Sequence, residues 1–418
     1  MKVIFSLILL LFASTGVAEE DEEYEDDFFK IYSEGNSEIG AYSIYNQDIG
    51  VSNVVGYYQD HLKIKLDDEY DTWSLYLRYR LRGDFADKDP QNFGEHNLKK
   101  ELLYLAKPVG SGNLNIGIQE INWGESVIFP ILDIVNSKDF TYAKGPLDPD
   151  SKLANLMINY EYLSDLGKLQ LLYLPISRTL ILPEEIGDFT LDMGDDPEFF
   201  KDHEFGFRYQ IPSDFVGISF YYFNHYNREP SITFSPFSGE DDLILNRDRL
   251  YTLGLSANVA TLTRVYKGDF RYTPNQPISG VVQRKESRDL IQSMFGVNQA
   301  IGLNHTLSLE LHYDNWGRMP QSYNDDAFAL DDDEQDGNLL WAGASLNSSF
   351  QNGLISPQLI VFRGVNNEDQ FAQAKSDFII NENYIFGLEY QYSLVRSSSP
   401  KFVLSRAKRI LFNFKWLL

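Results

Sequence analysis

The stretch Ile410-Leu411-Phe412-Asn413-Phe414-Lys415-Trp416-Leu417-Leu418 decides the fold. Ile410, Phe412, Phe414, Trp416 and Leu418 alternate with Leu411, Asn413, Lys415 and Leu417, and a period of two is that of a strand with distinct faces. An aromatic strand of this kind would leave a soluble domain with a sticky edge. In a membrane barrel it pairs with the first strand, and the edge disappears. The expected fold class is therefore all-β: a transmembrane antiparallel β-barrel.

The same alternation recurs upstream. Trp73, Leu75, Leu77, Tyr79 and Leu81 oppose Ser74, Tyr76, Arg78, Arg80 and Arg82; Leu307, Leu309, Leu311 and Tyr313 oppose Thr306, Ser308, Glu310 and His312. Tyr384, Phe386, Leu388, Tyr390 and Tyr392 oppose Gly387, Glu389 and Gln391. A soluble sandwich alternates too, so the terminal strand, the aromatic content of 14% and the N-terminus tip the balance. Short turns and long polar connections take turns along the chain, as periplasmic turns and external loops do in such barrels. The count comes to about 18 strands, with 16 as the alternative.

Residues 1–18 read as a cleaved signal peptide: Lys2, an apolar run over 3–12, then Gly16-Val17-Ala18. Residues 19–37 form an acidic N-terminal periplasmic segment, and 38–418 the barrel. The chain contains no cysteine, which removes disulfides, thiol catalysis, thiolate metal sites and a cysteine-borne lipid anchor. The formal net charge of −25 argues against nucleic acid as a partner.

A basic stripe stands out in so acidic a chain. Lys63 and Lys65 share a face, and Arg78, Arg80 and Arg82 line the same interior from the next strand. The stripe either attracts anionic solutes and sets selectivity, or forms a cross-strand ion-pair ladder with Glu161, Glu204 or Glu310. The acidic clusters at Glu184-Glu185, Asp195-Asp196, 240–242 and 331–334 miss the calcium-loop template and read as solvated loop surface, so no metal is expected. Neither a Gly-x-Ser-x-Gly elbow nor a His-Glu-x-x-His helix occurs, and no catalytic residue or cofactor is expected.

The most distinctive string runs Ile116-Gly-Ile-Gln119-Glu-Ile-Asn-Trp123-Gly124-Glu125-Ser126, followed by Asp133-Ile-Val-Asn136-Ser-Lys-Asp139. It resembles the signature of an outer-membrane β-barrel family known mainly by a domain-of-unknown-function label: a Gly-x-Gln strand, then Trp-Gly-Glu, then Asn-Pro-x-Asp. Asn136 and Asp139 match the last element, while Ser137 stands at the proline position. Weaker resemblance continues through Glu204-Phe-Gly-Phe-Arg-Tyr209 and Tyr221-Tyr-Phe-Asn-His-Tyr226. The resemblance implies an outer-membrane channel, often encoded beside resistance-nodulation-division exporters of hydrophobic molecules.

Physically, Gly124 permits a sharp bend, Trp123 anchors at an interface or stacks in the lumen, and Glu125 is placed to pair with a lumenal base. The connection 122–150 is too apolar for an exposed loop, with Val127-Ile-Phe-Pro-Ile-Leu132 and Ile134-Val135. It is expected to fold into the lumen as a constriction, with Glu125, Asp133 or Asp139 on the basic wall; capping the barrel mouth is the alternative.

The expected protein is thus a porin-like channel of a Gram-negative outer membrane that passes small amphipathic or hydrophobic solutes, alone or with an envelope exporter. Lipid, lipopolysaccharide and the barrel assembly machinery are its expected partners. The alternatives are a structural or adhesive barrel with a non-conducting lumen, and an outer-membrane hydrolase.

Overall fold

Strand after strand places a large apolar side chain outward and a small or polar one inward, and a sheet built this way has no solvent face on which to end. The computed structural model describes residues 30–46, 51–67, 72–84, 98–138, 152–178, 185–186, 189–192, 197–211, 215–228, 231–234, 242–277, 281–282, 287–317, 337–366, 369–394 and 407–417. Eighteen strands form one antiparallel sheet. They are β1 (Lys30–Asn46), β2 (Val51–Asp67), β3 (Thr72–Asp84), β4 (Leu98–Val109), β5 (Gly112–Gln119), β8 (Asn155–Ser164), β9 (Gly167–Leu174), β12 (Glu204–Ile211) and β13 (Val216–Tyr226). The ring continues through β16 (Arg249–Ala260), β17 (Arg264–Pro277), β19 (Ser287–Ile301), β20 (His305–Asn315), β21 (Asn338–Ser348), β22 (Ile355–Gly364), β23 (Gln370–Ile379), β24 (Tyr384–Leu394) and β25 (Ala407–Leu417). Each pairs with its neighbours in this order, and β25 returns to β1, with Phe414 opposite Ala41 and Trp416 opposite Ile39. The ring is closed: each of the eighteen strands has a paired neighbour on both sides.

The outward face is apolar. Phe412 (50% exposed), Phe414 and Trp416 of β25 point out with Tyr384, Phe386, Leu388 and Tyr390 of β24 and Leu309 and Leu311 of β20, whereas Ser308, Glu310 and His312 point in and are buried. No helix among the described residues is long and apolar enough to cross a membrane; the strands are what span it.

The barrel begins earlier than the expected boundary at residue 38. β1 starts at Lys30, and residues 30–37 pair with β2 alone, Lys30 opposite Asp67 through Ser37 opposite Asp60. Ladder pairing specifies this extension, and it carries no apolar alternation that would mark it in the sequence. Residues 1–18 lie outside the described residues.

Above the long-loop end, segments of the connections after β9, β13 and β17 assemble a second sheet of five short strands, β10 (Glu185–Ile186), β11 (Phe189–Asp192), β14 (Ser231–Phe234), β15 (Asp242–Asn246) and β18 (Val281–Val282), in the order β10-β11-β15-β14-β18. The remaining pair, β6 (Ser137–Lys138) and β7 (Lys152–Leu153), closes the base of the β5–β8 connection.

Candidate functional site

The β5–β8 connection lies inside the barrel. Ile121, Trp123, Ile128, Phe129, Ile131, Leu132, Ile134 and Val135 are all buried, in one cluster with wall residues that include Met157, Tyr221, Phe223, Trp341 and Phe362. In the strand order, β20 and β21 stand about opposite the step from β5 to β8, so a loop rooted there and touching Phe362 of β22 crosses the lumen.

Such a loop brings its peptide groups into a water-poor interior, where each needs a partner. The wall supplies them. Asp269 of β17 accepts the N–H of Glu125 at 2.9 Å and that of Ser126 at 3.2 Å. Glu310 of β20 accepts the N–H groups of Val127 (3.0 Å), Ile128 (3.0 Å) and Phe129 (3.1 Å) and the Ser126 hydroxyl (2.6 Å). The Lys267 ammonium, 2.6 Å from Glu310 Oε1, neutralises it in a pair that is almost wholly buried. Lys267 and Glu310 face each other across Gly296 of the intervening β19. A Cβ on Gly296 would lie 2.9 Å from both Glu310 Cγ and Lys267 Cε, so the missing side chain is what lets the two span the gap.

The turn itself needs Gly124. Its φ of +91° lies in the region that L side chains avoid, and a Cβ there would meet Asp269 Oδ2 at 3.0 Å and Leu132 Cβ at 3.1 Å. Just before it, Trp123 donates from Nε1 to Gln170 Oε1 at 2.9 Å and packs on Tyr221 and Phe223, with ring centroids 5.3 and 5.7 Å away. Of the two sites open to Trp123, it occupies the lumen.

The neck is tied at both sides. Asn136 donates to Ile121 O at 2.6 Å and accepts its N–H at 3.3 Å, so one amide does the work of a ladder rung. Arg228 donates to Ile134 O at 3.2 Å and Val135 O at 2.9 Å while paired with buried Glu204 at 2.5 Å. Gln119 donates to Met157 O at 3.3 Å, holding β5 to β8 at the loop root.

Gln119, Trp123, Gly124, Glu125 and Asn136 therefore belong to one assembly, though not all in the expected roles. Glu125 meets the wall through its backbone N–H. Asp133 pairs with Lys152 at the base of the loop, 2.6 Å away, and not with the stripe on β2 and β3. Asp139 lies outside the described residues.

The basic stripe stands on the wall away from the loop's apolar contacts. Lys63 sits 5.7 Å over the Tyr76 ring, which stacks on Tyr104 at 4.7 Å. Arg78 pairs with Glu120, where the loop leaves β5, at 2.8 Å. Lys65, Arg80 and Arg82 occupy the same face by register, opposite Ser74, Gln59 and Tyr57, and of these three the backbone alone is described. The carboxylates expected to form a ladder with the stripe are engaged elsewhere: Glu161 with Lys168, Glu204 with Arg228 and Glu310 with Lys267. They stand on β8, β12 and β20. Lys63, Tyr76, Arg78 and Tyr104 are half-buried, whereas the wall under the loop is buried. The loop thus divides the interior into a filled side and a side lined by cationic and aromatic groups.

A closed antiparallel ring, apolar outside and polar within, with one loop folded through its interior, is a transmembrane β-barrel with the fold of outer-membrane porins. Solved structures with this fold include OccAB1 of Acinetobacter baumannii, with a TM-score of 0.56 and 6% identity, the match covering 96% of this chain and 99% of that one. OpdK of Pseudomonas aeruginosa, solved with vanillate, matches at 0.55 and 10% identity over 92% of this chain and 98% of its own. OccD3 (OpdP) of Pseudomonas aeruginosa matches at 0.54 and 8% identity, over 92% and 91%. At these identities the likeness is one of fold. No family model matches the chain, and no curated protein does.

Proposed function

We propose that the chain is an outer-membrane channel that passes small amphipathic or hydrophobic molecules along the β2–β4 wall. The observation that carries this reading is the division of the lumen. One side is packed solid by the inward loop, and the other keeps half-buried Lys63, Tyr76, Arg78 and Tyr104, with Val127 and Pro130 left exposed on the loop. A passage with apolar groups on the loop and, on the wall, Lys63 over the Tyr76 ring beside Arg78 favours solutes with an apolar body and a polar or anionic end. That OpdK, a barrel of similar fold, was solved with vanillate supports a small-molecule lumen. An envelope exporter as energised partner enters through the Trp-Gly-Glu resemblance and belongs to the same proposal.

The test is a planar-bilayer recording of the refolded chain and of a variant with Arg78, Arg80 and Arg82 replaced by Gln. Stepwise conductance, with reversal potentials shifted toward cations in the variant, is the expected result. A lumen closed under all conditions would overturn the channel reading and turn attention to the outer five-stranded sheet as an adhesive surface.

A further inference from the structure

Among the cations that face the lumen, Arg208 of β12 stands apart. Carboxylates pair with Arg78, Lys168, Arg228, Lys267 and Lys375. None of the described carboxylates lies within ion-pair distance of Arg208. In a chain of net charge −25, composition does not account for that. Arg208 donates from Nε and Nη2 to the Ser219 hydroxyl at 3.4 and 3.3 Å, both at the long end of the range, and its guanidinium lies 5.5 Å over the Tyr221 ring. The rest of the guanidinium fork has no acceptor among the described residues.

The strand pattern fixes where that fork sits. β12 runs from the long-loop end to the short-turn end, and a Cβ on Gly206 would lie 3.2 Å from the Trp123 ring, so the inward loop rests at Gly206. Arg208 is the next inward residue, about 7 Å further toward the short turn, beneath Trp123 and half-buried. Tyr221 joins the two, with its ring 5.3 Å from that of Trp123. Around the fork the inward groups are uncharged. Gln210 follows on β12 opposite Ser219 of β13, and Ser256 and Asn258 face them from β16. On the β8–β9 side, Lys168 and Glu161 neutralise each other at 2.7 Å. The local field is that of one cation, and a wall half shielded from water extends its range.

We propose that Arg208 is an anion-binding site on the inner side of the loop, which takes the carboxylate end of a small organic monoanion. A planar fork grips a carboxylate through two parallel bonds, and the Ser219 hydroxyl and the Gln210 amide supply donors beside it. A single unpaired cation matches a single charge, whereas a dianion would stay half neutralised. The choice of ligand rests on the channel reading, since a solute guided along the basic β2–β4 wall would meet Arg208 once past the loop. The site itself rests on β12 and β13 and requires no conduction.

The chain has no cysteine, so one introduced thiol reports the local field. Gln210→Cys, full-length and refolded in detergent micelles, is reacted with a sulfonate-bearing and with a trimethylammonium-bearing methanethiosulfonate. Adding Arg208→Gln is expected to lower the anionic-to-cationic rate ratio at least about fivefold. At Gln358→Cys on β22 the same addition should change the ratio by less than about twofold, because charges beyond about 8 Å are screened. At equal concentration, acetate should slow the anionic reagent at the Gln210→Cys thiol at least about twofold more than chloride does, an excess that Arg208→Gln abolishes. A rate ratio indifferent to Arg208→Gln would overturn the site. Equal slowing by acetate and chloride would be ionic screening alone and would overturn the carboxylate ligand. If Gln210→Cys fails to assemble, Asn258→Cys puts the same question from β16, with the same outcomes. A parent barrel silent in the bilayer would leave these rates as they are, so failure of the channel reading and failure of the site are told apart.

Discussion

Glu310 takes three backbone N–H groups and a hydroxyl from residues 126–129 while Lys267 neutralises it across Gly296. Replacing one member of a buried pair strands the other, at a cost of about 3–5 kcal/mol. Glu310→Gln is therefore expected to lower unfolding stability by about that much, because the amide cannot hold both the ammonium and the loop N–H groups. The double variant Lys267→Met with Glu310→Gln should lose less than the two single variants together, since the stranded charge goes too. Denaturant unfolding in detergent micelles measures both, and full additivity would sink the coupled pair. Gly296→Ala should be milder, about 1–3 kcal/mol, by crowding the same two side chains. Little of this was legible in the sequence. Glu310 was visible as an inward residue on a well-patterned strand, but Lys267 and Asp269 became its companions only through the β17-β19-β20 register, which no local pattern states.

At the scale of elements, the alternating strands and the order of short and long connections could be read directly, because burial on one face enforces the period. The inward course of the β5–β8 connection was legible for a different reason: its density of Ile, Leu, Val and Phe demands cover that an external loop lacks. The five-stranded outer sheet was not legible, since strands of two to five residues are too short to show a period. Nor could sequence reveal that Asp133 would pair within the loop while Glu120 would meet Arg78. The loop crosses the ring and fills one side, so deleting residues 128–144 behind a short Gly/Ser bridge should raise single-channel conductance by about twofold, with assembly retained by the closed ladder. Assembly without any rise would reassign the loop from constriction to lumenal brace. Trp123→Ala is the gentler probe: losing the Gln170 bond and the contacts with Tyr221 and Phe223 should cost about 3–5 kcal/mol.

At the scale of the whole molecule, closure and the two-faced wall are one property. An acidic chain with a net charge of −25 can enter a membrane only if its charges turn inward or lie in loops, and the strands sort them by alternation. β24 offers a test within adjacent residues. Leu388 is 42% exposed on the outward face, whereas Glu389 points inward and accepts from Gln373 and Gln391, each at 2.5 Å. Leu388→Arg puts a charge near mid-band, at about 2–4 kcal/mol, paid when the ring inserts. Glu389→Arg places the same group in a polar lumen beside Lys375, where it gives up hydrogen bonds such as those from Gln373 and Gln391 and gains a like-charge neighbour. Folding into lipid vesicles, followed by the heat-dependent gel shift of a closed barrel, should show Leu388→Arg impaired and Glu389→Arg nearly native. Equal assembly of the two would mean that the outward face of β24 does not meet lipid, and the membrane orientation of the ring would have to be redrawn.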